Sequence, residues 1–197
     1  MGPPGTFTYP YPRPAVTVDT CIFALERPQL VPQILLIKRG NEPYKGCWAL
    51  PGGFVDEGET LEAAAARELQ EEASVTGCTL VQTGAYGDPG RDPRGHTVSV
   101  AYMAFVPDSH DVGVKAADDA AEADWFHLSQ LPKLAFDHDK IIDNAWTKCD
   151  FTALPGEVVA TERGSAAEMG RWGAPSGVEA EASCCSLREV KPKEKGT

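Results

Sequence analysis

Cations are scarce in this sequence. Its 197 residues carry 18 Lys and Arg against 29 Asp and Glu, a formal net charge of −11. Phosphate backbones are held mainly by Lys and Arg, so no nucleic-acid partner is expected. Long apolar runs are also missing. No stretch approaches the roughly 20 residues that span a bilayer, and the N-terminus lacks the basic-then-apolar layout of a signal peptide. No membrane partner is expected, and the composition points to the cytoplasm. The six cysteines, at 21, 47, 78, 149, 184 and 185, lack metal-binding spacing. In a chain large enough to bury a core, they are expected to be reduced thiols. There is no internal repeat.

What is present reads as one α/β domain over residues 14–155, between a Pro- and Gly-rich arm (1–13) and a tail. "AVTVDTCIFAL" (15–25) and "QILLIKR" (33–39) have the apolar content of strands. "CWALPGGFV" reads as a short strand broken by Gly52 and Gly53. "TLVQTGAYG" and "TVSVAYMAFV" are further strands around the loop "DPGRDPRGH". A polar stretch, "KAADDAAEAD", precedes a last strand, "WFHL". "FDHDKIIDNAWTKC" reads as a helix with Asp137 as its N-cap. From residue 161 to 197 few large apolar groups remain, and the tail cannot offset its ordering entropy.

The segment "TLEAAAARELQEEASV" (60–75) is made of good helix formers. A helical stripe begun at Leu61 takes in Ala64, Ala65, Glu68, Glu71, Glu72 and Val75. At about 100° per residue the three glutamates span only about 100° of the helix, within the arc of its apolar residues. They are therefore expected to face inward. Carboxylates this close, partly removed from water, raise one another's pKa and require a cation. Arg67 offers one charge against three. An oxygen-only ligand set favours a hard divalent ion, so the residues themselves predict a Mg²⁺ or Mn²⁺ site.

The run from Gly53 to Val75 resembles the box of the Nudix hydrolase superfamily, Gly-x5-Glu-x7-Arg-Glu-U-x-Glu-Glu-x-Gly-U, where U is a bulky aliphatic. Gly53, Glu59, Arg67, Glu68, Leu69, Glu71, Glu72 and Val75 match. Ser74 stands where the final glycine is found, and Gly77 is the nearest residue to end the helix in its place. The resemblance implies a Nudix fold, a mixed sheet sandwiched between helices. It implies that Glu68, Glu71 and Glu72 bind the metal with the carbonyl of Gly52, and that Glu59 pairs with Arg67. It also implies hydrolysis of a nucleoside diphosphate linked to a further group.

"DPGRDPRGHTVSVAY" narrows the substrate. Pro89, Gly90, Pro93 and Gly95 stiffen a loop made locally basic by Arg91, Arg94 and His96. Lys38, Arg39 and Lys45 flank the box on its other side and could serve the same diphosphate. The loop resembles that of Nudix ADP-ribose pyrophosphatases, in which a proline about fifteen residues beyond the box glycine marks ADP-ribose preference. Counting from Ser74 reaches Pro89. ADP-ribose cleaved to AMP and ribose 5-phosphate is the expected reaction. Another diphosphate substrate is the alternative within the family.

The family's base is often an acid before the last strand. Asp118, Asp119 and Glu122 are available, and Asp119 is selected. Trp48 has two readings, a base-stacking ring and a core residue. His138 has two readings, a residue that reaches the pocket and, preferred, one that with Asp137 opens the second helix. A second alternative is a non-catalytic ADP-ribose sensor, because "DPRGHTVSVAY" and "LAFDHDKII" also resemble Nudix domains of transcriptional repressors of NAD metabolism. Those repressors continue into a basic winged helix, whereas this tail is acidic to mixed. Many relatives dimerise, which admits a homodimer.

Overall fold

Two strands are apolar on both faces, and this sets the architecture. β1 (Ala15–Glu26) and β2 (Val31–Arg39) run antiparallel, with Phe23 opposite Ile34 and Glu26 opposite Val31. Successive strand side chains point to opposite faces, so each strand feeds two cores. Cys21, Phe23, Ile34 and Leu36 form one with Ile141, Ile142, Ala145 and Trp146. Ile22, Ala24, Leu35 and Ile37 form the other with Leu69 and Ala73. The computed structural model describes residues 9–26, 30–106, 109–111, 114 and 120–149. Asp118, Asp119 and the 161–197 tail lie outside the described residues.

The remaining strands are β3 (Trp48–Ala49), β4 (Gly52–Phe54), β5 (Val81–Tyr86), β6 (Thr97–Val106) and β7 (Ala120–His127). They make one seven-stranded mixed sheet in the order β3-β2-β1-β6-β5, with β4 paired to β1 and β7 to β2. β1 and β6 are parallel, from Ala15 against Thr97 to Ala24 against Val106. Helices α1 (Leu61–Ala73) and α2 (His138–Trp146) each fill one of the two cores. This is the expected mixed sheet between helices. Among the described residues no helix is long and apolar enough to cross a membrane. Cys21, Cys47, Cys78 and Cys149 are free thiols.

Three local expectations change. β7 begins at Ala120, inside the stretch read as polar, because its backbone pairs with β2 while Ala120, Ala123 and Trp125 pack on the α1-side core. Its Glu122 meets Lys38 at 3.2 Å across that pairing. Asp137 occupies the N-cap position of α2, but its side chain caps nothing. Both of its carboxylate oxygens are taken by Arg91 instead, at 2.7 and 3.1 Å. α1 ends at Ser74 and not at Gly77. Ser74 has φ 58° and ψ 24°, and its N–H donates to Gln70 O while Val75 N–H donates to Leu69 O. Serine thus adopts the left-handed turn that glycine makes more easily.

Candidate active site

The box carboxylates share one helix, which Thr60 starts by accepting the Ala63 N–H on its hydroxyl at 3.2 Å. Ala64, Ala65, Leu69 and Ala73 are its buried residues. Glu68 and Glu72 flank that stripe, whereas Glu71 keeps 44% of its side chain exposed, against 13% for Glu68. The inward stripe thus holds for two glutamates, and the third sits at its solvent edge. Burial raises the Glu68 carboxyl above its usual range, against the pull of Arg67. Burial pushes Glu72 up to about 8, opposed by a 2.8 Å hydrogen bond from Gly52 N–H.

Arg67 organises the acids. Its Nε and Nη2 donate to the two oxygens of Glu59, each at 2.9 Å. Nη1 donates to Glu68 Oε1 at 2.9 Å and Glu71 Oε2 at 3.0 Å, and Nη2 also donates to Phe54 O. These bonds, with Glu59 first, drive the guanidinium pKa upward. Held this way, no three His, Cys, Asp or Glu groups among the described residues converge to ligate one ion. Each of Glu68, Glu71 and Glu72 nevertheless keeps a second oxygen that these bonds do not use. Two of the three are charged only at a cost that a divalent ion would remove, so the donor chemistry fits a hard metal.

The glycines of β4 are there because of what touches them. A Cβ on Gly53 would lie 2.3 Å from Glu68 Oε1, and one on Gly52 would lie 2.1 Å from Val18 O. The carboxylate therefore lies directly against the Gly53 backbone.

Beside this turn opens a cleft whose lining includes Asp19, Arg39, Gly52, Gly53, Phe136 and His138. Arg91 and Arg94 line it too. Of the residues expected to bind substrate, Lys45 and Pro89 are exposed and are not part of that lining. The three arginines differ in state. Arg91, 5% exposed, is spent on Asp137. Arg94 pairs with the buried Asp92 at 2.7 Å and lies over the Phe54 ring at 4.9 Å. Burial works to raise the Asp92 carboxyl, but its hydrogen bonds from Arg94 hold it below the usual range. Arg39 has no carboxylate partner among the described residues. It donates to Pro43 O at 2.8 Å and stacks on Phe136 at 5.0 Å. Burial, and then the neighbouring Arg94, lower its pKa. A cation in a cleft that no carboxylate holds in an ion pair is open to an anionic ligand.

Other expected residues lie elsewhere. Trp48 packs edge-on to Phe126 at 4.5 Å against the α2-side core. Lys38 is paired with Glu122. His96 is exposed at the start of β6, and its carbonyl accepts from Ala15 N–H. Asp19 did not emerge from the sequence as a site residue, and His138 did so only as its second reading. Asp19 is buried on β1 opposite Gly52 and accepts the Ser99 hydroxyl. His138 is buried and reaches the cleft as well as opening α2. A carboxylate inside the strand "TVDTC" was the signal for the first.

The comparison with known families decides the class: the NUDIX domain matches residues 14–145. This chain belongs to the Nudix family. Members of the family generally use divalent metal ions. Over 132 residues the Nudix chain is 51% identical to the ADP-ribose pyrophosphatase of Methanocaldococcus jannaschii, covering 67% of this chain and 73% of that one. It is 39% identical over 153 residues to the ADPR responsive transcriptional repressor NtrR of Acinetobacter baylyi, covering 74% of this chain and 60% of the repressor. Among solved structures, the NUDIX domain of Shewanella oneidensis NrtR complexed with ADP ribose superposes with a TM-score of 0.63 at 31% identity. That match covers 69% of this chain and 88% of that domain.

Proposed function

We propose that this chain hydrolyses ADP-ribose to AMP and ribose 5-phosphate with Mg²⁺, Mn²⁺ being the alternative ion, and that it does so in the cytoplasm. It is a Nudix pyrophosphohydrolase. The observation that carries the reading is the carboxylate trio of α1 set beside a cleft whose Arg39 lacks a carboxylate partner among the described residues. The 51% identity to an ADP-ribose pyrophosphatase supports the choice of substrate.

Bound there, a divalent ion would supply neutralisation of charge developing on the phosphates and a more nucleophilic water at neutral pH. Glu68, Glu71, Glu72 and the Gly52 carbonyl are the residues assigned to hold it. Glu59 and Arg67 keep the helix and its carboxylates in place. Arg39 is assigned to the diphosphate, with Arg94 beside it. Asp119 is assigned to take the proton from the attacking water.

A panel of ADP-ribose, a dinucleotide, a nucleotide sugar and an oxidised nucleoside triphosphate, incubated with Mg²⁺, tests this. The expected result is preferential release of AMP and ribose 5-phosphate from ADP-ribose. Preferential cleavage of another member would overturn the substrate, and ADP-ribose bound but never cleaved would overturn the enzyme.

A further inference from the structure

The turn from Leu50 to Gly53 carries Gly52 beside the carboxylates, and it is tied down from several directions. Pro51 O accepts from both the N–H and the hydroxyl of Thr20, at 2.8 and 3.0 Å. Gly52 N–H donates to Glu72, and Gly52 lies against Val18 O, leaving no room for a Cβ. The remaining tie comes from the other side of the sheet. Leu50 N–H donates to His138 Nδ1 at 2.9 Å, a bond between residues 88 apart in the chain. Because Nδ1 accepts, the proton of the neutral ring is on Nε2, which faces Asp19 Oδ1 at 3.5 Å. Asp19 in turn accepts from Ser99 and pairs across from Gly52.

We propose that His138 is a positioning residue for the divalent-metal site: by accepting from Leu50 it fixes the turn that presents Gly52, and by facing Asp19 it fixes the floor beneath that glycine. The inference rests on the reading that Gly52 and the three glutamates hold the ion. Packing alone does not explain the histidine. The ring stacks on Phe136 at 5.3 Å, which any planar apolar ring could do, yet both of its nitrogens face polar groups. Leu50 is buried, so without an acceptor its N–H must find another by rotating the peptide, and Gly52 follows two residues on.

Two substitutions in the full chain separate the roles. His138→Asn places an amide oxygen near the position of Nδ1 and loses the ring. His138→Phe keeps the ring and loses the acceptor. Mn²⁺ binding without substrate, followed by electron paramagnetic resonance, is the readout. His138→Asn should bind within about two-fold of the native chain and His138→Phe should weaken about ten-fold or more. Native affinity in His138→Phe, or an equal loss in both variants, overturns the proposal. Nitrogen NMR of the native imidazole gives a second test that requires no variant to fold: a proton on Nδ1 overturns it. Absence of Mn²⁺ binding by the native chain overturns the metal reading and this proposal together. Loss of the predicted variant pattern alone leaves the metal reading, and ADP-ribose hydrolysis, intact.

Discussion

Glu68, Glu71 and Glu72 are not equivalent, although the motif treats them alike. Glu71 is the most exposed, so it can change with least cost to the fold. Glu71→Gln should lower turnover on the order of 100-fold or more with an unchanged circular dichroism spectrum. Full activity in that variant would remove Glu71 from the metal site. Ser74 yields a prediction of opposite sign. It adopts φ 58° with a side chain that disfavours it, so Ser74→Gly should stabilise by about 1 kcal/mol and raise Tm by about 3 °C. Calorimetry measures both, and an unchanged or lower Tm would mean that serine's other contacts outweigh the backbone cost. The sequence marked Ser74 as a departure but placed the turn at Gly77, because a side chain in a left-handed conformation leaves no pattern in the residues themselves.

At the scale of elements, the arginine loop between β5 and β6 serves two purposes. Arg91 joins the loop to the start of α2 through Asp137 in a nearly buried pair, so Arg91→Ala leaves that carboxylate without its partner and should cost about 3 kcal/mol of stability. Arg39→Ala removes a cation with no carboxylate partner among the described residues, and should raise KM for ADP-ribose about ten-fold with little change in Tm. Thermal unfolding and steady-state kinetics on the two variants distinguish the roles, and the opposite assignment would show as a reversed pattern. Periodicity made the strongest elements legible: α1 through its stripe, and β1, β2 and β6 through their apolar runs. β7 was only half legible because its first residues carry no apolar alternation, and its partners on β2 lie 81 to 94 positions upstream. The pairing of Arg91 with Asp137 was illegible for the same reason, since each residue has a plausible local role of its own.

For the whole molecule, the buried carboxylates tie stability to pH and metal together. The folded pKa of Glu72, about 8, lies above its ordinary value of 4.5, so the metal-free fold is favoured by its protonation below 4.5. That contribution is lost as pH rises towards 8. Glu68 shifts in the same direction. Saturating Mg²⁺ should therefore raise Tm more at pH 8.5 than at pH 5.5, and Glu72→Gln should shrink the difference. Equal shifts at both pH values would contradict the assignment of Glu72 to the metal. The three glutamates of the box were legible because they sit on one helix. Asp19 was not, and His138 was only as a second reading, because only closure of the whole sheet brings β1, the glycine turn and α2 together.

That closure has a consequence during synthesis. Residues 53 to 75 contain the entire box and leave the ribosome early, but the hydrogen bond that fixes Leu50 needs His138, and Asp19 waits for Ser99 on β6. Domains form in the order in which their contacts become available. A nascent chain that ends before α2 therefore displays every residue of the motif and still lacks one of the ties that hold the turn beside them.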